Sequence, residues 1–370
     1  MSQAKTSYLI DTLSTLGQKL VNPNDELLQL IVTEQHYNAW FTPIAVSQAV
    51  KAVGHMLNRQ DLSFWLENEE LAIKSKDDKQ QVPPSGGACL TDRQDLGGAL
   101  EEDLEGAKIG LVLAGNIPLV GFHDVLCVLV SGRYAMIKAS TNDARLLKYV
   151  LKLLTDIAPE FGRQFNFADR LAGFDAVIAT GSNNTSRYFD YYFGKVPNII
   201  RKNRNSVALL TGSETKEQLF MLGHDIFDYF GLGCRNVSKI LVPAGYDFVP
   251  FFEAIEPHQP VINHHKYNNN YDYNKSIYLV NGDNHFDNGF LLLKEDVRLT
   301  SPLAVVFFEY YENLQAAEDR LNEMAEAVQC IVTTAPVKVV DQVVGFGKSQ
   351  QPSLWDYADR VNTLAFLNGL

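Results

Sequence analysis

The stretch KIGLVLAGNIPLVGFHDVLCVLVSGRYAMIK, residues 108–138, decides the fold. Its apolar part, residues 109–130, is long enough to raise the question of a membrane span. Asn116, Pro118, His123 and Asp124 interrupt it, however, and their polar groups would be costly in lipid. The stretch divides more naturally into three parts. Residues 108–114 are a short continuous apolar run, residues 119–131 suit a buried helix, and residues 134–138 are a second short run. Runs of this kind are expected of parallel strands covered on both faces. A strand, a helix and a second strand make one right-handed crossover unit.

The same alternation continues outward. A helix is expected at 142–154, a strand at 174–180 and a helix at 183–193. A second series follows, with strands at 207–211 and 237–243 and helices at 216–230 and 246–255. Strand-like runs stand at 277–280, 291–293 and 303–308, a helix at 313–327, and strands at 330–333 and 337–340. The polar segment HHKYNNNYDYNK, 264–275, reads as a loop, and the tail as irregular up to LWDYADRVNTLAFL. Upstream, residues 3–66 read as helical, with Thr42 as an N-cap and Pro43 at the first helical position. Residues 74–105 differ, with charge runs, Pro83-Pro84 and Gly86-Gly87, and read as an exposed excursion. The fold class is α/β, doubly wound, in two units with a cleft between them.

Composition narrows the function. The chain has 370 residues, 46% apolar and 21% charged, which excludes a disordered or fibrous chain. At about 150 residues per domain it holds two domains or one large unit. A net charge of −12 argues against a non-specific nucleic-acid binder. The four cysteines, at 89, 127, 234 and 330, form no C-x-x-C pair and no disulfide framework. The N-terminal segment lacks the basic start and apolar core of a signal peptide. A reduced, cytoplasmic protein without a membrane span is expected.

Four places can carry chemistry. Cys234, in FGLGCRNVSK, follows two glycines that allow close approach and precedes Arg235, whose charge favours a thiolate. The alternative is a small core residue among turn glycines. Asn116, in LAGNIPLVG, follows a strand, where an amide can donate to an oxyanion; capping of the next helix is the alternative. ATGSNNTSRYF, 179–189, joins a strand to a helix whose N-terminus suits a phosphate, or is a plain connection. Lys138, followed by Ala139, Ser140 and Thr141, ends a strand where it can hold a hydroxyl or a phosphate. Two features are set aside. His264-His265 lacks any ligand cluster, so no metal is expected. The basic run 201–204 (RKNR) reads as a solvated loop, although Arg201, Lys202, Arg235 and Lys138 remain candidates for local basic patches.

In this order and spacing the motifs resemble the aldehyde dehydrogenase superfamily, and within it the acyl-CoA reductase family that includes the fatty-acid reductase subunit of bacterial bioluminescence. The resemblance runs from about residue 109 to the end, through GNIPLVGFHD, ATGSNNTSRYFDYYF, FGLGCRNVSKILVP and PSLWDYADRVNTLAFL. It implies a Rossmann-type cofactor-binding domain over 1–204, an α/β catalytic domain over 205–334, and a segment 335–370 packing back near the cleft. Cys234 is then the acyl-accepting nucleophile, and Asn116 with the Cys234 N–H forms the oxyanion hole. Lys138 contacts the adenosine ribose, Thr180, Gly181 and Ser182 lie along the cofactor, and Glu295 is the best local match to a ribose-binding glutamate. Two departures from the superfamily pattern matter. Where oxidising members carry a glutamate base, this chain has IRKNRN, 200–205, so water is poorly activated against a thioester. Where NAD-specific members often place glutamate, it has Thr141, which together with Lys138 favours NADPH; Asp143 lies nearby.

The activity implied is reduction of a long-chain acyl-CoA or acyl thioester to the aldehyde with NADPH, through a Cys234 thioester. Oxidation of an aldehyde to the acid with NAD(P), and a non-catalytic subunit of an acyl-transfer complex, are the alternatives. A second copy of the chain or an acyl-transfer subunit is the expected partner.

Overall fold

The structure is a computed structural model that describes residues 3–77, 106–181 and 183–370. Most of the expected excursion, with Cys89, lies outside these residues, as does Ser182; residues 74–77 continue a helix. The chain opens with four helices, α1 (Gln3–Val21), α2 (Asp25–Thr33), α3 (Pro43–Met56) and α4 (Arg59–Asp77). The Thr42 side chain accepts from Ala45 N, and Pro43 opens α3 as expected. Alternation then begins with β1 (Lys108–Val112), α5 (Phe122–Val130), β2 (Tyr134–Lys138), α6 (Ala144–Ile157) and β3 (Phe165–Phe167). It continues with β4 (Ala176–Thr180), α7 (Asn183–Phe193) and β5 (Asn198–Arg201). These strands form one parallel sheet in the order β3-β2-β1-β4-β5. The chain moves outward from β1 to β3 and then returns to the other side at β4. The crevice between the ends of β1 and β4 is therefore the topological switch point, where ligands of such sheets bind.

The second series is β6 (Asn205–Leu209), α8 (Lys216–Phe227), β7 (Val237–Pro243), α9 (Val249–Ile255) and α10 (His265–Asn281). It ends with β8 (Phe286–Asp287), β9 (Leu292–Glu295), β10 (Val305–Tyr311), α11 (Leu314–Glu323), β11 (Val328–Val332), β12 (Val343–Val344) and α12 (Thr363–Asn368). Its sheet runs β12-β11-β6-β7-β10-β9-β8 and is parallel except for the β8–β9 pair. Side chains of β6 alternate between two cores, as a strand covered on both faces requires. Ala208 joins a core with residues of α8, α9 and α10, whereas Val207 and Leu209 join one with Ala317 and Leu321 of α11. The first sheet shares a large core with the N-terminal helices through Leu13, Leu16, Phe41 and Trp65. Leu354, Tyr357, Leu364 and Leu367 enter this same core, so the C-terminal tail crosses back from the second sheet to the first unit.

Several sequence expectations need correction. Segment 264–275 is not a loop and 277–280 is not a strand; both belong to α10. Its buried side chains Tyr267, Tyr271, Asn274 and Tyr278 recur at helical spacing, while Leu279 and Val280 are exposed. Residues 337–340 are not a strand either; β12 forms a few residues later. Helix α8 stops at Phe227 rather than at residue 230, because Tyr229 and Phe230 adopt left-handed φ values of 53° and 61°. Strands β3, β5, β8 and β12, two to four residues each, escaped a reading based on apolar runs.

Candidate active site

The loop after β1 meets the segment that leads into β7. Asn116 stands four residues past β1, and its Nδ2 donates to Leu232 O at 2.7 Å. Cys234 lies two residues beyond Leu232. The structure therefore brings together the two residues that the sequence singled out for chemistry, from opposite units. Gly233, between Leu232 and Cys234, sits in a tight space. A Cβ there would stand 3.0 Å from Asn236 Oδ1 and 3.4 Å from Ile117 Cδ1. The Asn236 carboxamide braces the turn, accepting from Gly233 N at 2.8 Å and donating to Asp228 O at 2.9 Å. Just upstream Tyr229, Phe230 and Gly231 all have positive φ. Left-handed conformations at two aromatic residues cost about 1–3 kcal/mol each and persist where the surroundings enforce them. Here Tyr229 is wedged among Ala45, Ala49 and Ile117.

Of the cysteines described, Cys127 and Cys330 are fully buried, while Cys234 is half-buried. Enclosure raises the Cys234 thiol above its ordinary range. The charge of Arg235 opposes this, Asp359 adds to it, and Arg201 opposes it again. Ser206 Oγ fixes the backbone from behind by donating to Cys234 O at 3.1 Å.

The basic run was expected to be a solvated loop, and here the structure corrects the reading. Arg201 ends β5 and is only 4% exposed. Its Nη2 lies 2.6 Å from Asp124 Oδ1 and 3.0 Å from Thr363 Oγ1, and its Nη1 donates to Ala358 O at 2.5 Å. Arg204 pairs with Asp359 at 3.1 Å. Arg235 is also buried and donates to Gln342 Oε1 and Asp356 O. These three arginines tie the C-terminal tail across the cleft. As a basic patch for anionic ligands Arg201 and Arg235 are largely spent.

The remaining candidates separate into two groups. Lys138 and Thr141 are exposed at the carboxyl end of β2, and Thr180 and Gly181 are half-buried at the end of β4. All four stand on the edge that carries Asn116. The loops after β1 and β2 touch so closely that a Cβ on Gly115 would lie 2.4 Å from Ser140 Oγ. Asp143 turns away from this edge: it is 5% exposed and its Oδ2 accepts from Leu119 N at 2.9 Å. Glu295, by contrast, is not brought to the cleft. It is exposed and pairs with Phe308, level with Ile240 in mid-β7. The chain returns to the cleft edge only later, where Leu299 O accepts from Ser238 Oγ and Thr300 Oγ1 donates to Asn205 Oδ1. Sequence reasoning missed Asp124 and Asp359 as partners of the basic run. Their distance along the chain leaves no local pattern to find.

Two largely parallel sheets in this order are the fold shared with solved aldehyde dehydrogenases. No family model matches the sequence, and no curated protein matches it. Solved structures do. Aldehyde dehydrogenase 21 from Physcomitrella patens, in complex with the product succinate, is 12% identical with a TM-score of 0.64, covering 99% of this chain and 85% of its own. An NAD-dependent benzaldehyde dehydrogenase from Corynebacterium glutamicum is 10% identical with a TM-score of 0.60, covering 92% and 81%. A Mycobacterium tuberculosis aldehyde dehydrogenase complexed with NAD+ is 12% identical with a TM-score of 0.58, covering 92% and 77%. Among the described residues no helix is long and apolar enough to cross a membrane.

Proposed function

We propose that the protein reduces an acyl-CoA or a related acyl thioester to the aldehyde, with NADPH, through an acyl group held on Cys234. The observation that carries this reading is Arg201. Within residues 200–205, the stretch where oxidising members of the superfamily it resembles carry a glutamate base, the chain has a buried arginine locked to Asp124. A cation there does not accept a proton from water, so an acyl group on Cys234 is protected from hydrolysis.

The chain's own groups account for the acyl-transfer steps. The Cys234 thiolate adds to the thioester carbonyl, and the carbonyl electron pair moves onto oxygen. Asn116 Nδ2 and the Cys234 N–H stabilise that oxyanion, at about 3–4 kcal/mol per donor in comparable sites. Collapse expels the CoA thiolate, a good leaving group that needs little acid help. A bound nicotinamide supplies the hydride that carries the acyl group to the aldehyde level. Residues 1–204 then hold the cofactor, residues 205–334 carry the nucleophile, and residues 335–370 pack back near the cleft. The edge bearing Lys138, Thr141, Thr180 and Gly181 fits a dinucleotide: a lysine ammonium stands free of any neighbouring carboxylate at position 141, and Asp143 is turned inward. This donor set suits a 2′-phosphate, hence NADPH. Glu295 is left out of the proposed site.

A second reading, oxidation of an aldehyde to the acid, is favoured by Asp359, a carboxylate near enough to raise the Cys234 thiol. The test mixes the protein with octanoyl-CoA and NADPH and follows absorbance and aldehyde together. One aldehyde per NADPH consumed supports reduction. No NADPH consumption, with acid formed from octanal and NAD(P)+, overturns it.

A further inference from the structure

Cys234 sits in a tightly bonded corner. Residues 233–236 close a turn in which Asn236 N donates to Gly233 O at 3.0 Å. The Asn236 side chain closes the same turn from the other side, its Oδ1 accepting from Gly233 N at 2.8 Å. Its Nδ2 donates to Asp228 O at 2.9 Å and to Asp225 O at 3.1 Å, at the end of α8. The partners fix the orientation of this carboxamide, because an N–H only donates and a carbonyl only accepts. Asn236 is 2% exposed, so water does not compete for these bonds. Beyond the turn, Cys234 O accepts from Ser206 Oγ at 3.1 Å, and the Arg235 guanidinium donates to Gln342 Oε1 and Asp356 O.

One donor at this corner is left over. Among the described residues no other residue accepts the Cys234 N–H. Burial raises the Cys234 thiol and Arg235 opposes the rise; the residue's own N–H opposes it too, so this N–H faces the sulfur. The Cys234 N–H belongs to the same planar peptide unit as Gly233 O and points the opposite way. Whatever holds Gly233 O therefore also aims the Cys234 N–H. Asn236 holds it, and its side chain fixes the Gly233 N–H as well.

We propose that Asn236 is a positioning residue for acyl transfer: its carboxamide ties the turn to the end of α8, so that the Cys234 N–H points at the carbonyl oxygen of the group the thiol attacks. This rests on the reading of Cys234 as an acylated nucleophile. As the sulfur–carbon bond forms, the carbonyl electron pair moves onto oxygen and meets an N–H already aimed there. Collapse returns the pair to the carbonyl and expels the leaving group, a phenolate or the CoA thiolate. A donor fixed beforehand stabilises the developing charge without reorganising.

The experiment compares two reactions of the same thiol, in the full chain and in its Asn236→Ala, Asn236→Ser and Cys234→Ala variants. Acylation by p-nitrophenyl acetate passes through an oxyanion, whereas alkylation by iodoacetamide needs the thiolate and access but forms none. Alanine removes all the side-chain bonds. A serine hydroxyl still accepts from a nearby backbone N–H, as asparagine does. The p-nitrophenolate burst is expected to slow by about 10²-fold in Asn236→Ala, as for loss of one oxyanion donor, and by about tenfold in Asn236→Ser. Alkylation at the same pH should stay within about threefold of the starting rate in both. A residue that merely supports the fold would slow both reactions together. A burst within about threefold of the starting protein in either folded variant overturns the proposal, as do equal losses in the two reactions or a failure of both variants to fold. CoA release from octanoyl-CoA reports separately on the acyl-CoA reading. An ester burst with no CoA release sinks that reading and leaves Asn236 to the variants. No Cys234-dependent burst from either donor overturns both.

Discussion

Replacing Arg201 by methionine is expected to destabilise the fold by about 3–5 kcal/mol, the usual cost of stranding one member of a buried ion pair. The geometry sets this magnitude. The Arg201 and Asp124 side chains are 4% and 11% exposed, and the guanidinium meets both carboxylate oxygens, at 2.6 and 3.3 Å. Methionine fills most of the arginine stem, so the loss falls on charge and hydrogen bonds rather than on a cavity. Asp124 keeps its charge without a partner, while Ala358 O and Thr363 Oγ1 lose a donor. If the stranded charge is the cause, Asp124→Leu added to Arg201→Met should recover about 2–3 kcal/mol, and the two substitutions should be far from additive. Urea unfolding of the four proteins, compared at a common slope, measures this. A single variant that loses less than about 1 kcal/mol, or a double variant as unstable as the two singles summed, would refute the reasoning.

Three further outcomes follow from the same site. Asp359 raises the Cys234 thiol, so Asp359→Asn should move the pH profile of Cys234 acylation to lower pH; asparagine also tolerates the left-handed φ of 58° there. An unmoved profile counts against a charge effect, and loss of aldehyde oxidation alone would favour the oxidative reading. Burial, opposed by the Leu119 N–H and reinforced by Glu34, holds Asp143 well above the usual carboxylate range. The folded state then binds this proton more tightly than the unfolded state, so this group favours folding increasingly as pH falls through its raised folded value. Asp143→Asn should therefore stabilise at pH 8 and have little effect below the unfolded aspartate range; destabilisation at pH 8 would contradict it. Thr141→Glu, at the exposed end of the β2 loop, should raise KM for NADPH over NADH by at least about tenfold, measured by steady-state kinetics. Equal changes for both would place the 2′-phosphate elsewhere.

Much of this was legible in residues 108–138 alone, because parallel strands buried on both faces leave unbroken apolar runs. β2, β7 and α7 fall where those runs and their flanking turns put them. That Asn116 and the Cys234 segment come close follows from two local motifs, one after a strand and one behind glycines, and their proposed roles rest on the same motifs. Helix α10 was not legible: its buried face is made of tyrosines and an asparagine, which a count of apolar residues does not register. The pairings of Arg201 with Asp124 and of Arg204 with Asp359 depend on contacts between distant segments. A basic run looks solvated until the tertiary fold supplies its carboxylates. Glu295 shows the converse, since a plausible local match stands exposed at the end of β9, beside Phe308.

Whether Cys234 carries the acyl group is read out directly by intact-protein and peptide mass spectrometry. The protein is incubated with octanoyl-CoA without NADPH, denatured in acid, digested and weighed. One octanoyl group is expected on the peptide containing Cys234, lost on addition of NADPH before denaturation and absent from Cys234→Ala. An adduct that persists in Cys234→Ala, or a wild-type protein that releases no CoA and gains no mass, would contradict it.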